Sequence, residues 1–280
     1  MLNLGLLCTQ IKVEEKLLME EAGRRVHNVI KADMRDLVFG LENYFPFDVV
    51  LVRDFMHPRD LCALFLLEKA NIRTVNSYDV ARRCSDKVAV SKLLRKNGVP
   101  TPDVLVAFTP ESALQAMDRM GYPVILKPAV GTWGQLLAKV NDRDSAEALL
   151  EHKDHLGSYY HSIFYMQKYI PKPGRDIQAI VVGDEVICAI YRVGKHWITH
   201  PDRGAEIKHC PVTKELEDLS LKAARAVGGG VLSIDVMETK EGLTVHEVNG
   251  VGEFRHMLEP TGVNIPAKIL DYVEKVTVNV

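Results

Sequence analysis

Apolar segments of strand length alternate with amphipathic helical runs through the first third of the chain, and beyond residue 120 they come in pairs joined by short turns. "LNLGLL", "VHNVIKA", "FDVVLVRD" and "IRTVNS" are interleaved with the helix-like "KVEEKLLMEEAGRR" and "PRDLCALFLLEKA". A helix between two strands returns the second in the direction of the first, so this part predicts a small parallel sheet with helices on its faces. Later, "PVILKP" and "LLAKV" flank a glycine-rich tip, while "VVGDEVICAI" and "METKEGLTVHEV" contain hairpin turns. A hairpin reverses direction, so these parts predict antiparallel sheets. One helix is predicted over "VARRCSDKVAVSKLLRKNG", stopped by Gly98 with Pro100 and Pro102 beyond it. Others are expected over "PESALQAMDRMG", "DSAEALLEHKDHLG", "TKELEDLSLKAARAVGGG" and "IPAKILDYVEKV". The expected division is 1–85, 86–170 and 171–280, in the α/β class with α+β character in the later parts.

With 280 residues, 47% hydrophobic and 26% charged, the chain has the balance of a soluble protein with a substantial core. Thirty-five basic against 37 acidic residues give a net charge of -2, which argues against a general nucleic-acid binder held by phosphate contacts and leaves room only for a local basic patch. An anionic partner must therefore be recognised by a local patch. "MLNLGLLCTQ" reads as a buried first strand, not a signal peptide, and no apolar run approaches the ~18 residues of a membrane span. Cys8, Cys62, Cys84, Cys188 and Cys210 are odd in number and lack CxxC spacing, so reduced thiols in a cytoplasmic protein are expected.

Three oxygen-bearing side chains interrupt the otherwise apolar strands "VLSIDVMET" and "LTVHEVNG": Asp235, Glu247 and Asn249. Period-two alternation puts Glu247 and Asn249 on one face, and a hairpin partner brings Asp235 beside them. Hard oxygen ligands in that number suit magnesium, which keeps its other positions for water or phosphate. The same pattern also suits the solvated side of half-buried strands. Lys87 and Lys127 are candidate phosphate clamps, the latter ending a strand that enters "GTWGQL". That tip, Gly131, Thr132, Trp133, Gly134 and Gln135, contains no carboxylate to repel a triphosphate and lacks the GK[ST] ending of a Walker A loop. Arg175, Arg192 and Arg203 form a set able to neutralise a phosphorylated intermediate, although each alone would pass for a surface charge.

"SDK", "VILKP" with "GTWG", "QKYI" with "PGRDI", "SIDVME" and "HEVNG" occur in the order and spacing of ATP-grasp ligases. The chain resembles the LysX/ArgX branch of the RimK-like group over nearly its full length. "LLAKVNDRDSAEALLEHK", "HWIT" and "TGVNIP" are similar to that branch in particular. The resemblance implies a three-domain ATP-grasp fold with ATP held between two sheets and Mg2+ bridging its phosphates. It implies a ligase that activates a carboxylate as an acyl phosphate and joins it to an amine. The amine is that of α-aminoadipate or glutamate, and the acceptor is the C-terminal glutamate of LysW, a small acidic carrier protein used in lysine or arginine biosynthesis. The enzyme would be a cytoplasmic homo-oligomer, dimer or tetramer, without nucleic-acid or membrane partners.

Carried over by motif, Lys87 and Lys127 contact phosphates and the 131–137 loop covers them. Gln167, Lys168, Tyr169, Ile170, Arg175 and Asp176 hold adenine and ribose, and His200 belongs to the same nucleotide set. Arg192 faces the phosphates and acyl phosphate, Arg203 lies near the reacting carboxylate, and Asp235, Glu247 and Asn249 hold the metal. Arg203, Gly204, Asn249, His256, Met257, Thr261 and Gly262 serve the substrate, and Lys195, Arg203 and Lys208 form a patch for the acidic carrier. Gln135 and Gln178 stand where relatives have arginine, which removes charge-assisted contacts worth roughly 1.5–3 kcal/mol each. His256 and Met257 match neither the Asn-Ser/Thr pair of aminoadipate-specific relatives nor the Gly-Phe pair of glutamate-specific ones, while "TGVNIP" leans to aminoadipate. The alternatives are a RimK-like glutamate ligase acting on a small molecule or cofactor tail, and a nucleotide-binding scaffold without catalysis.

Overall fold

Leucine and valine dominate the two central strands of the N-terminal sheet, which are buried along almost their whole length, so both faces must be covered there, as a parallel sheet requires. Its strands are β1 (Asn3–Leu7), β2 (Asn28–Ala32), β3 (Val49–Val52) and β4 (Arg73–Val75), all parallel in the order β2-β1-β3-β4. Helices α1 (Val13–Arg24) and α2 (Pro58–Lys69) are its crossovers. The structure is a computed structural model and describes residues 1–41, 45–54, 58–131, 136–157 and 162–278.

The long helix expected across residues 80–98 is two helices, α3 (Tyr78–Cys84) and α4 (Lys87–Lys96). Asp86 between them is extended, and its carboxylate accepts from Val88 N at 2.8 Å and Ala89 N at 3.2 Å, a side-chain cap that starts a new helix. Lys87 thereby becomes the first residue of α4, its backbone N donating to Ala129 O at 3.0 Å.

The second sheet contains β5 (Val104–Ala107), β6 (Val124–Lys127), β7 (Ala138–Val140) and β8 (Phe164–Lys168) in the order β5-β8-β6-β7, antiparallel throughout. Helices α5 (Pro110–Met120) and α6 (Arg143–Leu156) cover one face through Ala113, Met117, Ala146 and Leu150, which pack on Val124, Leu126, Phe164 and Met166. The hairpin β6–β7 has the expected pairing, Leu126 opposite Ala138.

The third sheet, also antiparallel, orders β9 (Arg175–Val182), β10 (Glu185–Val193), β11 (Glu206–His209), β12 (Val231–Thr239) and β13 (Gly242–Asn249) as β11-β10-β9-β12-β13. Ile177, Ala179 and Val181 of β9 face a core built with α7 (Lys214–Val227) and α4, whose Val90 and Leu94 join that core and not the second sheet's. The alternate residues Ile180 and Val182 pack with Leu4, Leu6 and Val49 of the N-terminal sheet and with Ile269 and Leu270 of the last helix. After the short α8 (Leu258–Thr261), that last helix, α9 (Ile265–Val278), returns to pack on α1. One face of the third sheet is thus apolar where it meets the N-terminal sheet. Beyond Ile180, at Gln178 and Asp176, the same face turns polar and is open to a pocket. Among the described residues no helix is long and apolar enough to cross a membrane.

Candidate active site

Strand register assembles the polar face. Arg192 lies opposite Asp176, Gln178 opposite Asp235, Asp235 opposite Glu247, and Ser233 opposite Asn249, so a band of functional groups crosses four adjacent strands. Asn249 Nδ2 donates to Asp235 Oδ2 at 3.4 Å, and Gln178 Nε2 donates to Ser233 Oγ at 2.8 Å. A β-bulge in the β12–β13 pair places Asp235 against Glu247 and Val236 against Val245, leaving His246 as the extra residue. An extra residue in one strand breaks the alternation locally. His246 accordingly lines the pocket beside Glu247 instead of facing away from it.

Charges in the band are tightly engaged. Arg192 donates from Nε to Asp176 Oδ1 at 2.7 Å, and its Nη2 lies 3.1 Å from Asp235 Oδ1. Lys172 Nζ donates to Asp176 Oδ2 at 2.7 Å and to Thr199 Oγ1 at 2.6 Å, and the Thr199 hydroxyl donates to the same carboxylate oxygen. Burial works against the charge of Arg192, but Asp235 and Asp176 outweigh it and raise its pKa above the ordinary arginine value. Burial pushes the Asp235 carboxyl up to about 6, opposed by Arg192 and reinforced by Glu247 and Asp176. Burial acts on Glu247 in the same direction, yet Lys87 and Lys127 overcome it and hold Glu247 below the usual carboxylate value. Burial followed by the fields of Lys127 and Lys172 keeps His246 neutral, well below the usual histidine range, and neither of its ring nitrogens has a hydrogen-bond partner among the described residues.

Opposite this band, β6 and β8 supply the second wall. Ile125 and Lys127 come from β6, Gln167 and Lys168 from the end of β8, and Tyr169 and Ile170 follow. Lys127 is 5% exposed, and burial lowers its ammonium to about 8, with Lys87 adding to that effect and Glu247 and Asp235 opposing it. Gln167 is buried with its Nε2 unpartnered among the described residues, an amide donor available to a ligand edge. Apolar Ile125, Leu137, Ile170 and Met237 offer flat contact surface, while Lys127, Lys172 and Arg192 offer positive charge. A planar base and a polyanionic tail are the ligand shape these two regions fit.

Of the residues singled out from sequence, Lys127, Gln167, Lys168, Tyr169, Ile170, Asp176, Arg192, His200, Asp235, Glu247, Asn249 and His256 line this one pocket. Lys87 sits at its edge, with Nζ 3.0 Å from Glu247 Oε1 and donating to Gly131 O at 2.6 Å. Thr132, Trp133, Gly134 and Gln135 lie outside the described residues. Arg175 is not in the pocket. It has the opposite strand parity to Asp176, pairs with Glu238 through two bonds of 2.6 and 2.8 Å and stacks on Tyr191. Arg203 and Gly204 belong to a short turn at residues 201–204, next to the lining residue Pro201 but not themselves lining. Met257, 1% exposed, packs in the core shared by the first and third sheets, and Thr261 and Gly262 close α8, so none of the three faces the pocket. In the expected carrier patch, Lys208 is paired with Glu206 at 3.1 Å.

Sequence reasoning missed Lys172, Thr199, Ser233 and His246, and a set from the N-terminal sheet: Lys12, Glu14, Glu15 and Arg53. Lys172 was visible as a second cation in "KPGRD", four residues before Asp176. Glu14 and Glu15 look like the ordinary acidic first turn of an amphipathic helix, and nothing local sets them apart.

Two sheets that sandwich a pocket of this composition, with a third, parallel sheet closing its end, define the ATP-grasp architecture. The RimK-domain ATP-grasp protein of Sphaerobacter thermophilus has the same fold, with a TM-score of 0.83 and 27% identity over 96% of this chain and 98% of that one. A family model for the RimK-like ATP-grasp domain matches residues 84–273, and one for the LysX preATP-grasp domain matches residues 4–83. The α-aminoadipate–LysW ligase LysX of Sulfurisphaera tokodaii is 32% identical over 97% of this chain and 98% of its own length. The glutamate–LysW ligase ArgX of the same organism is 30% identical over 95% of each. The chain belongs to the RimK-like ATP-grasp ligases, in their LysX/ArgX branch, and is an ATP-dependent ligase.

Proposed function

We propose that this enzyme joins the amino group of α-aminoadipate or glutamate to the C-terminal glutamate of a small acidic LysW-type carrier protein, in lysine or arginine biosynthesis. The observation that carries the reading is the facing of Asp235, Glu247 and Asn249 with Lys127 and Arg192 across one pocket in a chain whose relatives are LysW ligases. ATP lies between the second and third sheets, its base against Ile125, Ile170 and Met237 and its phosphates toward Lys127 and Arg192.

The donor set fits magnesium. Two carboxylates and an amide oxygen are hard ligands, and Asp235 Oδ1 is buried with no hydrogen-bond partner among the described residues even though Arg192 stands 3.1 Å away. Among the described residues this is a two-carboxylate set, with no group of three or more His, Cys, Asp or Glu placed to hold a metal. Asp235, Glu247 and Asn249 would hold the ion, which supplies charge neutralisation between phosphate groups. The protein's own part is positioning and electrostatics. Lys127 and Arg192 hold phosphate oxygens while the acceptor carboxylate takes the γ-phosphoryl group. Arg192, fixed by Asp176, then meets the charge that develops as the amine displaces phosphate. The enzyme acts in the cytoplasm as a dimer or tetramer.

Purified enzyme incubated with ATP, magnesium, the carrier and each amino acid should add one amino-acid residue to the carrier, seen by intact mass, with equimolar ADP. A carrier that gains no mass with either amino acid overturns the reading.

A further inference from the structure

The pocket extends beyond the metal-side carboxylates to the carboxyl edge of the N-terminal sheet. There β1 is central, with β2 on one side and β3 on the other. The chain leaves β1 towards β2, so the connections after β1 and β3 diverge and open a crevice, the position where open parallel sheets take ligands. Residues following both strands line the pocket at this point: Lys12, Glu14 and Glu15 after β1 and Arg53 after β3, with Glu253 and His256 also on the lining.

The two adjacent glutamates differ in how they are used. Glu15 is engaged at both oxygens, with Oε1 accepting from Arg53 Nε at 3.1 Å and Oε2 from Lys12 N at 2.9 Å. Glu14 is 1% exposed, yet its Oε1 accepts one long bond, 3.3 Å from Arg255 N, and its Oε2 has no hydrogen-bond partner among the described residues. A buried carboxylate oxygen left this way is unfavourable unless a charged donor meets it. The geometry points to this end of the pocket as the binding site for the ammonium group of the amine substrate, with Glu14 as its carboxylate partner. This rests on the reading of the chain as an amide-forming ligase, which needs an amine in the same pocket as the activated acid. An ammonium brings three donors and the missing positive charge. A carboxylate ligand here would meet Glu14, Glu15 and Glu253. The bond from Arg255 N also ties Glu14 to the segment carrying His256, so the amine's anchor and that segment of the wall are set by the same residue.

The test is titration calorimetry on the full chain saturated with ADP, using α-aminoadipate and glutamate, with adipate and glutarate as their respective counterparts lacking the amine. Wild type should bind at least one amine tenfold or more tightly than its desamino counterpart. Glu14→Gln, nearly isosteric, should lose that preference while keeping ADP affinity and melting temperature. Glu14→Asp, which keeps the charge with shorter reach, should retain the preference at weaker affinity. An unchanged preference in Glu14→Gln, or no preference for any amine in wild type, overturns the assignment. If an amine binds through Glu14 while neither α-aminoadipate nor glutamate reaches the carrier, the subsite stands and the proposed reaction falls.

Discussion

Lys127 ends β6 with its ammonium inside the pocket, and burial lowers its pKa from the ordinary lysine value to about 8. Between that value and the unfolded one of about 10.4 the unfolded chain binds more protons than the native one, so the ligand-free enzyme should gain stability as pH rises through this window. With the phosphates on Lys127, as proposed above, nucleotide binding should have the opposite sign, because an anion selects the protonated lysine. ATP affinity should be flat below pH 8 and fall by up to tenfold per unit above it, and in Lys127→Met it should be weaker and lack this inflection. Equilibrium titration with ATP from pH 6.5 to 9.5 checks this; an inflection retained in Lys127→Met would assign it to another group. Asp235, Glu247 and Asn249 were legible from sequence because oxygen-bearing side chains stand out on apolar strands. His246 was not, because a single-residue bulge inverts the parity on which the reading relies. Parity also separates Asp176, inside the pocket, from Arg175, outside it, and a basic residue beside an acidic one gives no local hint of which faces inward.

Element boundaries decide where Lys87 stands. Periodicity across residues 80–98 runs on as if through one helix, and what breaks it is a side chain, Asp86, bonded to two backbone N–H groups. A capping aspartate costs little to recognise in isolation, but here helix-compatible residues on both sides mask it. Asp86→Ala should lower stability by about 1 kcal/mol in urea denaturation. It should also weaken ATP binding, because the same turn aims Lys87 at Gly131 O and Glu247. Lys87→Met, with the cap intact, should reproduce the binding loss without the loss of stability. If Asp86→Ala changed stability alone, the cap would have no part in positioning the lysine. The hairpins around Gly183 and residues 240–242 and the parallel crossovers were legible, since turn residues and strand patterns agree there.

At the scale of the whole molecule the pocket exists because three sheets are held together, and the sequence carries no periodic signal for that. Asn76, next after β4 and 4% exposed, is one of the ties. Its Oδ1 accepts from Val231 N at 2.6 Å, and its Nδ2 donates to Val231 O at 2.7 Å and Gly250 O at 2.7 Å. One amide thus joins the N-terminal sheet to the start of β12 and to the residue just after Asn249. Gly230 makes room for it. A Cβ there would stand 2.1 Å from Asn76 Oδ1, and its φ of +108° suits glycine alone. Nothing in "TVNS" distinguishes this asparagine from a turn residue, because its partners lie 155 and 174 positions away. Asn76→Ala leaves a buried N–H and two carbonyls without partners and should cost about 3 kcal/mol in equilibrium denaturation. Because Gly250 adjoins Asn249 on the pocket wall, ATP affinity should fall in the same variant. Asn76→Asp retains the acceptor for Val231 N but sets a carboxylate against two carbonyl oxygens, and should destabilise at least as much. Should Asn76→Ala denature like wild type, or bind ATP unchanged, the coupling between the N-terminal sheet and the pocket would have to run through the apolar core around Ile180 and Val49 instead.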